Sequence, residues 1–157
     1  MIFVTVGFHF QGFDRLIQKM DEIAGKVNEE VIMQIGSTKY KPIHAKYFDF
    51  VDDDAEMTKL FLTARIIVAH AGAGTLMNAI RYNRPFIVVP RLKNFNEHVD
   101  DQQIELADAV SKSHGVVCIY NIADLENALQ KISSSTISDS KKDMDLTHFL
   151  RTTVGEP

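Results

Sequence analysis

Several features that mark specialised protein classes are scarce or missing in this sequence. A single cysteine, Cys118, excludes an internal disulfide and fits a reducing compartment. The 17 basic residues are outnumbered by 21 acidic ones, which is not the basic excess typical of nucleic-acid binding. No apolar run approaches the ~20 residues that span a bilayer, and the apolar start Met1–Val6 has no basic lead-in of a signal peptide. What remains, 45% hydrophobic and 24% charged residues in a chain of 157, is typical of one globular domain.

Short apolar runs alternate along the chain with segments of helical periodicity. Strands are predicted at 2–6, 31–35, 46–51, 65–69, 86–89 and 116–119. Helices are predicted at 12–27, after Asp52-Asp53-Asp54, at 74–82, at 100–112 and around Leu125–Ile132. This alternation predicts an α/β fold, a Rossmann-like parallel sheet with helices on both faces. Ligands of such sheets bind beyond the carboxyl ends of the strands, so the candidate functional loops are 7–12, 36–42, 70–75 and 90–101.

Two segments are predicted along the chain. Residues 1–132 carry the alternating pattern and are predicted to form the domain. The run Ser133-Ser134-Ser135-Thr136 and the charged stretch to Pro157 predict a flexible linker and tail, 133–157, that is a candidate for ordering against a partner.

The clearest motif is His70-Ala71-Gly72-Ala73-Gly74-Thr75, which follows a predicted strand and opens a predicted helix. Two glycines let the backbone approach a ligand closely, and a helix N-terminus presents free N–H groups to phosphate. Thr75 adds a hydroxyl, and His70 is placed to donate a ring N–H to a diphosphate oxygen. The alternative is that the glycines only form a tight turn around a buried histidine.

Two other phosphate-binding sites fit this motif poorly. A Rossmann dinucleotide site has a third glycine in G-x-G-x-x-G, where this chain has Met77, and an acidic residue about 20 positions on, where it has Pro90-Arg91-Leu92-Lys93. A P-loop is excluded because Gly-Lys-Ser/Thr does not occur.

A second block of polar residues follows the strand predicted at 86–89. Paired amides and carboxylates at a helix start suit a polyol, whose hydroxyls need donors and acceptors; these are Glu97, His98, Asp100, Asp101, Gln102, Gln103 and Glu105. A solvated helix N-terminus explains the carboxylates equally well, but not the two uncharged glutamines. Gly7 and the following Phe8-His9-Phe10-Gln11 form a third candidate at the first βα turn, with core capping as its alternative.

Metal and nucleophile chemistry find little support in the sequence. Asp52-Asp53-Asp54 has the form of a D-x-D metal site, but its position just before an amphipathic helix favours N-capping. The six histidines lack zinc-site spacing, so no metal is expected. Cys118 lies in an apolar run and is interpreted as a buried strand thiol.

In this order and spacing, the motifs resemble the glycosyltransferase family 28 C-terminal domain over about residues 1–132. The resemblance rests on five segments: Val4–Gly7, Phe13–Ile17, His70–Gly74, Pro85–Pro90 and His98–Ala107. It is closest to small stand-alone members, the UDP-N-acetylglucosamine transferase subunit of lipid-linked oligosaccharide synthesis and bacterial exopolysaccharide counterparts. The implied fold is the C-terminal, donor-binding half of a GT-B glycosyltransferase.

The resemblance also implies roles for individual residues. The UDP diphosphate is expected at Gly7, His70, Gly72, Gly74 and Thr75. The donor sugar is expected at Gln102 and Gln103. Many nucleotide-sugar enzymes of this superfamily bind the ribose with a glutamate; here Asn78 takes that position, and an amide bonds a hydroxyl more weakly than a carboxylate does. The loop Phe8–Gln11 also departs from the short Thr-rich loop of the eukaryotic members.

By the same resemblance, this chain supplies only half of an enzyme. A separate membrane-associated subunit is expected to bind the lipid-linked acceptor and recruit this chain from the cytoplasm. The transfer is expected to be inverting and metal-independent, without a cofactor, and the general base to lie on the partner unless it is His9. Two alternatives stay open: a non-catalytic enhancer subunit, which Asn78 favours, and a nucleotide-sugar epimerase, which the missing Tyr-x-x-x-Lys pair disfavours.

Overall fold

The computed structural model describes residues 1–112 and 116–134. These residues form six strands and five α-helices, with an α-helix after every strand except the second. The strands are β1 (Ile2–Thr5), β2 (Val31–Gln34), β3 (Lys46–Phe48), β4 (Ile66–His70), β5 (Phe86–Val89) and β6 (Val116–Cys118). The helices are α1 (Asp14–Ala24), α2 (Asp54–Thr63), α3 (Ala73–Arg81), α4 (Gln102–Val110) and α5 (Leu125–Ser134).

All six strands pair in parallel, in the order β3-β2-β1-β4-β5-β6. The predicted Rossmann-like parallel sheet is therefore confirmed. The chain leaves β1 toward one edge through β2 and β3, and returns to the other side of β1 at β4. Connections diverge at such a switch point and leave a crevice at the carboxyl ends of the two strands.

Strand side chains alternate between two apolar layers, because successive residues of a strand point to opposite faces. Ile2 and Val4 belong to the layer that contains residues of α1 and α5, among them Leu16, Met20, Leu125 and Leu129. Phe3 belongs to the layer that contains residues of α2, α3 and α4, among them Phe61, Leu76, Leu106 and Val110. Helices thus cover both faces of the sheet, as predicted.

Several boundaries differ from the prediction by one to three residues. Helix α1 begins at Asp14 and not at residue 12, because Phe13 has non-helical backbone angles, φ −129° and ψ 54°, and donates its N–H to the Thr38 hydroxyl at 3.0 Å. Helix α4 begins at Gln102 and not at Asp100, whose carboxylate instead accepts the Gln102 N–H at 3.0 Å. Asp53 caps α2 by accepting the Ala55 N–H at 2.8 Å, which confirms the interpretation of the aspartate run.

The predicted linker and tail, 133–157, lie almost entirely outside the described residues. Only residues 133 and 134 are described, and they belong to the last turn of α5. Within residues 1–112 and 116–134, no helix combines the length and apolar character needed to cross a bilayer.

Candidate active site

The candidate site lies at the switch point between β1 and β4. Gly7 follows β1, and His70 ends β4, whose neighbouring strand on this side is β1. The buried Gln34 side chain holds the first turn, because its Oε1 accepts the Gly7 N–H at 3.0 Å and its Nε2 donates to the Gly7 carbonyl at 3.0 Å. Because β1 pairs with β4, the turn at Gly7 lies beside the end of β4 at His70.

Two of the predicted glycines are required by the ring of His70. His70 is buried, and a Cβ added at Gly72 would lie 2.1 Å from its Nε2. A Cβ added at Gly7 would lie 2.7 Å from the same atom, and Gly7 has φ +73°, which favours glycine. Gly7 and Gly72 therefore make room for His70.

The His70 ring is neutral near physiological pH. Its Nδ1 lies 3.4 Å from the Thr5 carbonyl oxygen, a contact that only a protonated nitrogen makes. Burial, with a smaller repulsion from Arg91, lowers the pKa of His70 to about 3. Neutral His70 with its proton on Nδ1 therefore has no second N–H to donate, and a role in binding a diphosphate stays a prediction.

Gly74 has a different environment from the other two glycines. It is the second residue of α3, and a Cβ added there would meet no atom within 4 Å. The first intrahelical bond is made by the Leu76 N–H to the Gly72 carbonyl, so the N–H groups of Ala73, Gly74 and Thr75 precede it. Gly72 supplies no side-chain cap. Helix starts of this kind bind anions, because unsatisfied N–H groups and the helix dipole act together.

A cavity of about 250 Å³ opens beside this helix start. Its lining joins the α3 start to the start of α4, and consists of Ala71, Gly72, Ala73, Gly74, His98, Gln102, Gln103 and Leu106. Thr75 and Asn78 are not part of this lining; Thr75 is half-buried in the first turn of α3, and Asn78 is exposed one turn on.

The two glutamines predicted to contact a sugar have different surroundings. Gln102 is exposed at the first position of α4. Gln103 is buried, and its Oε1 accepts the N–H of Ala71 at 3.2 Å and of Arg91 at 3.0 Å. Gln103 therefore fastens the loops after β4 and β5 together through its oxygen, whereas neither bond uses its amide nitrogen.

Arg91 organises the site, although the sequence analysis gave it no role. It is fully buried after β5 and donates to the carbonyls of Val6 (2.7 Å), Gln11 (2.8 Å), Gly12 (3.2 Å) and Glu97 (3.0 Å). Burial lowers the pKa of its guanidinium to about 10, which leaves it charged at neutral pH. Arg91 thus joins the loops after β1 and β5 and brings positive charge to the switch point. The sequence feature that could have indicated this role is the position of Arg91, directly after a predicted strand and a proline.

Glu97 has a structural role. The polar block was interpreted either as a polyol-binding site or as a solvated helix N-terminus, and Glu97 fits neither. It is buried and forms a bidentate ion pair with Arg15, whose guanidinium donates to the two carboxylate oxygens at 2.8 and 2.9 Å. It also accepts the Leu92 N–H at 2.9 Å. Removing one partner of such a pair leaves a buried charge unpaired, which is costly.

His9 and His98 stack on each other, and His98 is part of the cavity lining. Their rings stack with centroids 4.5 Å apart, and His98 Nδ1 lies 2.9 Å from the Asp100 carboxylate. The contact joins the loops after β1 and β5. The sequence analysis grouped His98 with the polyol-binding block and had no reason to pair it with His9, because 88 intervening residues hide the contact.

The metal and thiol candidates of the sequence can be checked in the part of the chain that the structure describes. Within residues 1–112 and 116–134, no three His, Cys, Asp or Glu side chains are grouped to hold a metal ion. Burial raises the pKa of the Cys118 thiol to about 11, and its Sγ donates to the Ala107 carbonyl, as in a structural strand thiol.

Comparison with known protein families identifies the family of this chain. The family model of the glycosyltransferase family 28 C-terminal domain matches residues 1–150. The chain belongs to this family.

Relatives of this family-28 domain agree with that assignment. One is the UDP-N-acetylglucosamine transferase subunit ALG13 of Debaryomyces hansenii, 27% identical over 94 residues, which cover 60% of this chain and 41% of the relative. The chain thus matches less than half of that protein's length.

Solved structures share the fold of this family-28 domain. MurG of Acinetobacter baumannii superposes with a TM-score of 0.59 at 16% identity, over 83% of this chain and 41% of MurG. The kitacinnamycin glycosyltransferase gives a TM-score of 0.61 at 15% identity, over 97% of this chain and 38% of its own. The fold is therefore that of one Rossmann-like half of a GT-B glycosyltransferase.

The neutral, buried His70 predicts a specific acid sensitivity of this family-28 domain. An unfolded histidine titrates near pH 6.5, and native His70 only near 3. The stabilisation from its neutral form is thus complete above pH 6.5 and is lost as pH falls toward 3. As pH decreases from 6 to 4, the free energy of unfolding of the wild type should therefore fall more steeply than that of His70→Gln. The difference in slope should reach up to ~1.4 kcal/mol per pH unit. Parallel curves from urea titrations of the two proteins would contradict this.

Proposed function

We propose that this chain is the donor-binding catalytic subunit of a two-component glycosyltransferase. It transfers a hexosyl group, with N-acetylglucosamine as the first choice, from a UDP-sugar to a lipid-linked acceptor. One observation carries the proposal: a family-28 domain keeps the start of α3 open at Gly74, at the switch point of its sheet. A diphosphate is the ligand whose charge and size suit such a helix start.

The donor is proposed to lie along α3 and α4. The N–H groups of Ala73, Gly74 and Thr75 bind the diphosphate, with the Arg91 charge behind them and with Gly7, His70 and Gly72 forming the floor. Asn78, exposed one turn along α3, is proposed to contact the ribose. Gln102 and Gln103 line the cavity next to Gly74, where the sugar would extend. The relative that is named a UDP-N-acetylglucosamine transferase subunit supports UDP as the nucleotide.

The chemistry proposed is a direct displacement with inversion at the anomeric carbon. The acceptor hydroxyl attacks, and the bond to the UDP oxygen breaks. Negative charge then grows on the departing diphosphate, where the helix dipole of α3 and its N–H groups stabilise it without a metal.

A membrane-associated partner is proposed to supply the acceptor-binding half. The described residues form a single Rossmann-like unit, and the ALG13 relative is named a transferase subunit, which supports a second chain beside it. The loops at the ligand edge also expose large apolar side chains: Phe8, Phe10, Phe95 and Val99. Exposed apolar clusters mark protein or membrane contacts, and such a partner would bring this chain from the cytoplasm to the membrane.

Calorimetric titration of the chain with UDP- and GDP-sugars in EDTA tests the donor proposal, and the two glutamines sharpen the test. Wild type should bind UDP-N-acetylglucosamine and UDP, but not the GDP-sugars. Gln102→Ala should lose preference for the sugar, keep its affinity for UDP within about threefold and keep its stability. Gln103→Ala should lower the free energy of unfolding by about 2–4 kcal/mol, because two buried N–H groups lose their acceptor.

Two results would count against this proposal, and a third against the structural role given to Gln103. Binding that requires Mg²⁺ or Mn²⁺ would remove the metal-free site. Equal affinity for GDP-sugars would remove UDP as the nucleotide. Unchanged stability of Gln103→Ala would show that its bonds to Ala71 and Arg91 contribute little.

A further inference from the structure

Among the histidines of residues 1–112 and 116–134, His98 is the one that both lines the cavity beside Gly74 and contacts a carboxylate there. Its side chain is largely buried, with 13% exposed, and its Nδ1 lies 2.9 Å from Asp100 Oδ1. One face of its ring stacks on His9. Two contacts of different kinds therefore determine where the ring lies and how it is turned.

The contact with Asp100 also decides which ring nitrogen carries the proton. The Gln102 N–H donates to the Asp100 carboxylate and lowers the pKa of that group below its ordinary value. An ionised carboxylate only accepts hydrogen bonds, so Nδ1 of His98 must be the donor. The Asp100 N–H also lies 3.4 Å from Nδ1, but this longer contact is the weaker of the two. Neutral His98 therefore has its lone pair on Nε2.

His9 has the opposite arrangement. Its Nδ1 accepts the Gln11 N–H at 3.2 Å, so the neutral ring carries its proton on Nε2. Burial lowers the pKa of His9 below its ordinary value, and the charges of His98 and Arg91 lower it further, which favours that neutral ring. The nitrogen that His9 has available is thus a hydrogen-bond donor, and His98 is the member of the stack with a free basic nitrogen.

We infer that His98, oriented by Asp100, is the general base of the transfer, a role that the sequence analysis left to the partner or to His9. As the acceptor hydroxyl oxygen bonds to the anomeric carbon, its proton passes to His98 Nε2. The electron pair of the breaking glycosidic bond leaves with the UDP phosphate oxygen. The resulting imidazolium keeps its Nδ1–H bond to Asp100, whose negative charge stabilises it. A histidine held in one tautomer by a carboxylate is a recurrent form of activated base.

Two titratable groups face His98: Asp100 from its own loop, and His9 from the first turn, whose ring stacks on it. Lys93 interacts with Asp100 from the far side. Because the base must be unprotonated, kcat of the two-component enzyme should fall toward acidic pH, and this fall should be absent in His98→Gln.

The kinetic test uses the chain with its acceptor-binding partner and UDP-N-acetylglucosamine. His98→Gln should lower kcat by about 10²- to 10⁴-fold, the usual contribution of a general base, while the affinity for UDP changes less than threefold. His44→Gln is the matched control, because His44 also lies beside a carboxylate, Asp21 at 3.6 Å, but is not part of the cavity lining, and it should keep wild-type kcat. Wild-type kcat in His98→Gln would overturn the inference.

A second measurement uses the chain alone and needs no turnover. Nitrogen chemical shifts of the His98 ring should show the Nδ1–H tautomer in wild type and a mixture in Asp100→Ala. An Nε2–H tautomer in wild type would overturn the inference. The inference rests on the proposed function, but the failures differ. If wild type with its partner transfers no sugar, the proposed function fails; if it does and His98→Gln does as well, only the base assignment fails.

Discussion

Replacing Gly74 by valine is expected to weaken UDP binding at least a hundredfold, about 2.7 kcal/mol, while the domain stays folded. An added Cβ meets no atom beyond its own stretch of helix within 4 Å, and helix Cβ atoms tilt toward the N-terminus, so the side chain enters the open space at the α3 start. That space is where a diphosphate would reach the N–H groups of Ala73 and Thr75. Calorimetry for UDP binding and urea titration for stability measure the two effects. The free energy of unfolding should change by less than about 1 kcal/mol, because glycine is itself unfavourable in a helix.

Gly72→Ala is the matched comparison, two residues away in the same motif. Its Cβ would lie 2.1 Å from His70 Nε2, so overpacking should cost about 1–3 kcal/mol of stability. The two glycines should thus separate binding from folding. UDP binding by Gly74→Val at wild-type affinity would show that the α3 start is not the phosphate site. If Gly74→Val lost stability and Gly72→Ala did not, Gly74 and not Gly72 would be the glycine that folding requires.

The fold was predictable because its strongest determinants are local. Runs such as Phe86–Val89 are apolar throughout, as a strand covered on both faces must be, and the helices between them repeat with helical period. Parallel pairing follows from that alternation. Boundaries were less predictable, because side chains distant in sequence determine them: Thr38 bonds the Phe13 N–H just before α1.

The site was predictable only in part, for the same reason. The glycine motif and the glutamine pair are visible in sequence because they are contiguous. The sequence cannot show that Gly72 accommodates a ring while Gly74 faces open space, or that Gln103 accepts two backbone N–H groups while Gln102 is exposed. Arg91 and the His9–His98 stack depend on loops that meet only in the folded chain.

The second large effect concerns the proposed acceptor-binding partner. The purified chain is expected to bind UDP but to show no transferase activity, and to gain at least a hundredfold in turnover with the proposed membrane-associated subunit. Closing the cleft between two halves excludes water and positions the acceptor, steps that one half does not achieve alone. A radiolabelled UDP-sugar and a lipid-linked acceptor, with and without detergent-solubilised partner, give the measurement.

Two variants locate the contact with that partner. Phe10→Ser removes an exposed aromatic side chain at the ligand edge and should weaken association while sparing UDP binding. Deleting 135–157 tests the proposed role of the tail in the same way. Robust turnover by the isolated, monodisperse chain would show that it is a complete enzyme. No turnover with the partner, although UDP binds, would favour the enhancer subunit instead.

The central claim is that a UDP-sugar binds at the start of α3, and backbone amide NMR during a UDP titration tests it most directly. The account predicts that the largest shifts fall on Ala73, Gly74 and Thr75, with smaller ones at Gly7 and Gln102, and that Gly74→Val removes them all. A larger depression of about 790 Å³ lies elsewhere, beside α1, lined by Phe10, Arg15 and Lys39 among others. Shifts concentrated there, with the α3 amides unmoved, would contradict the account.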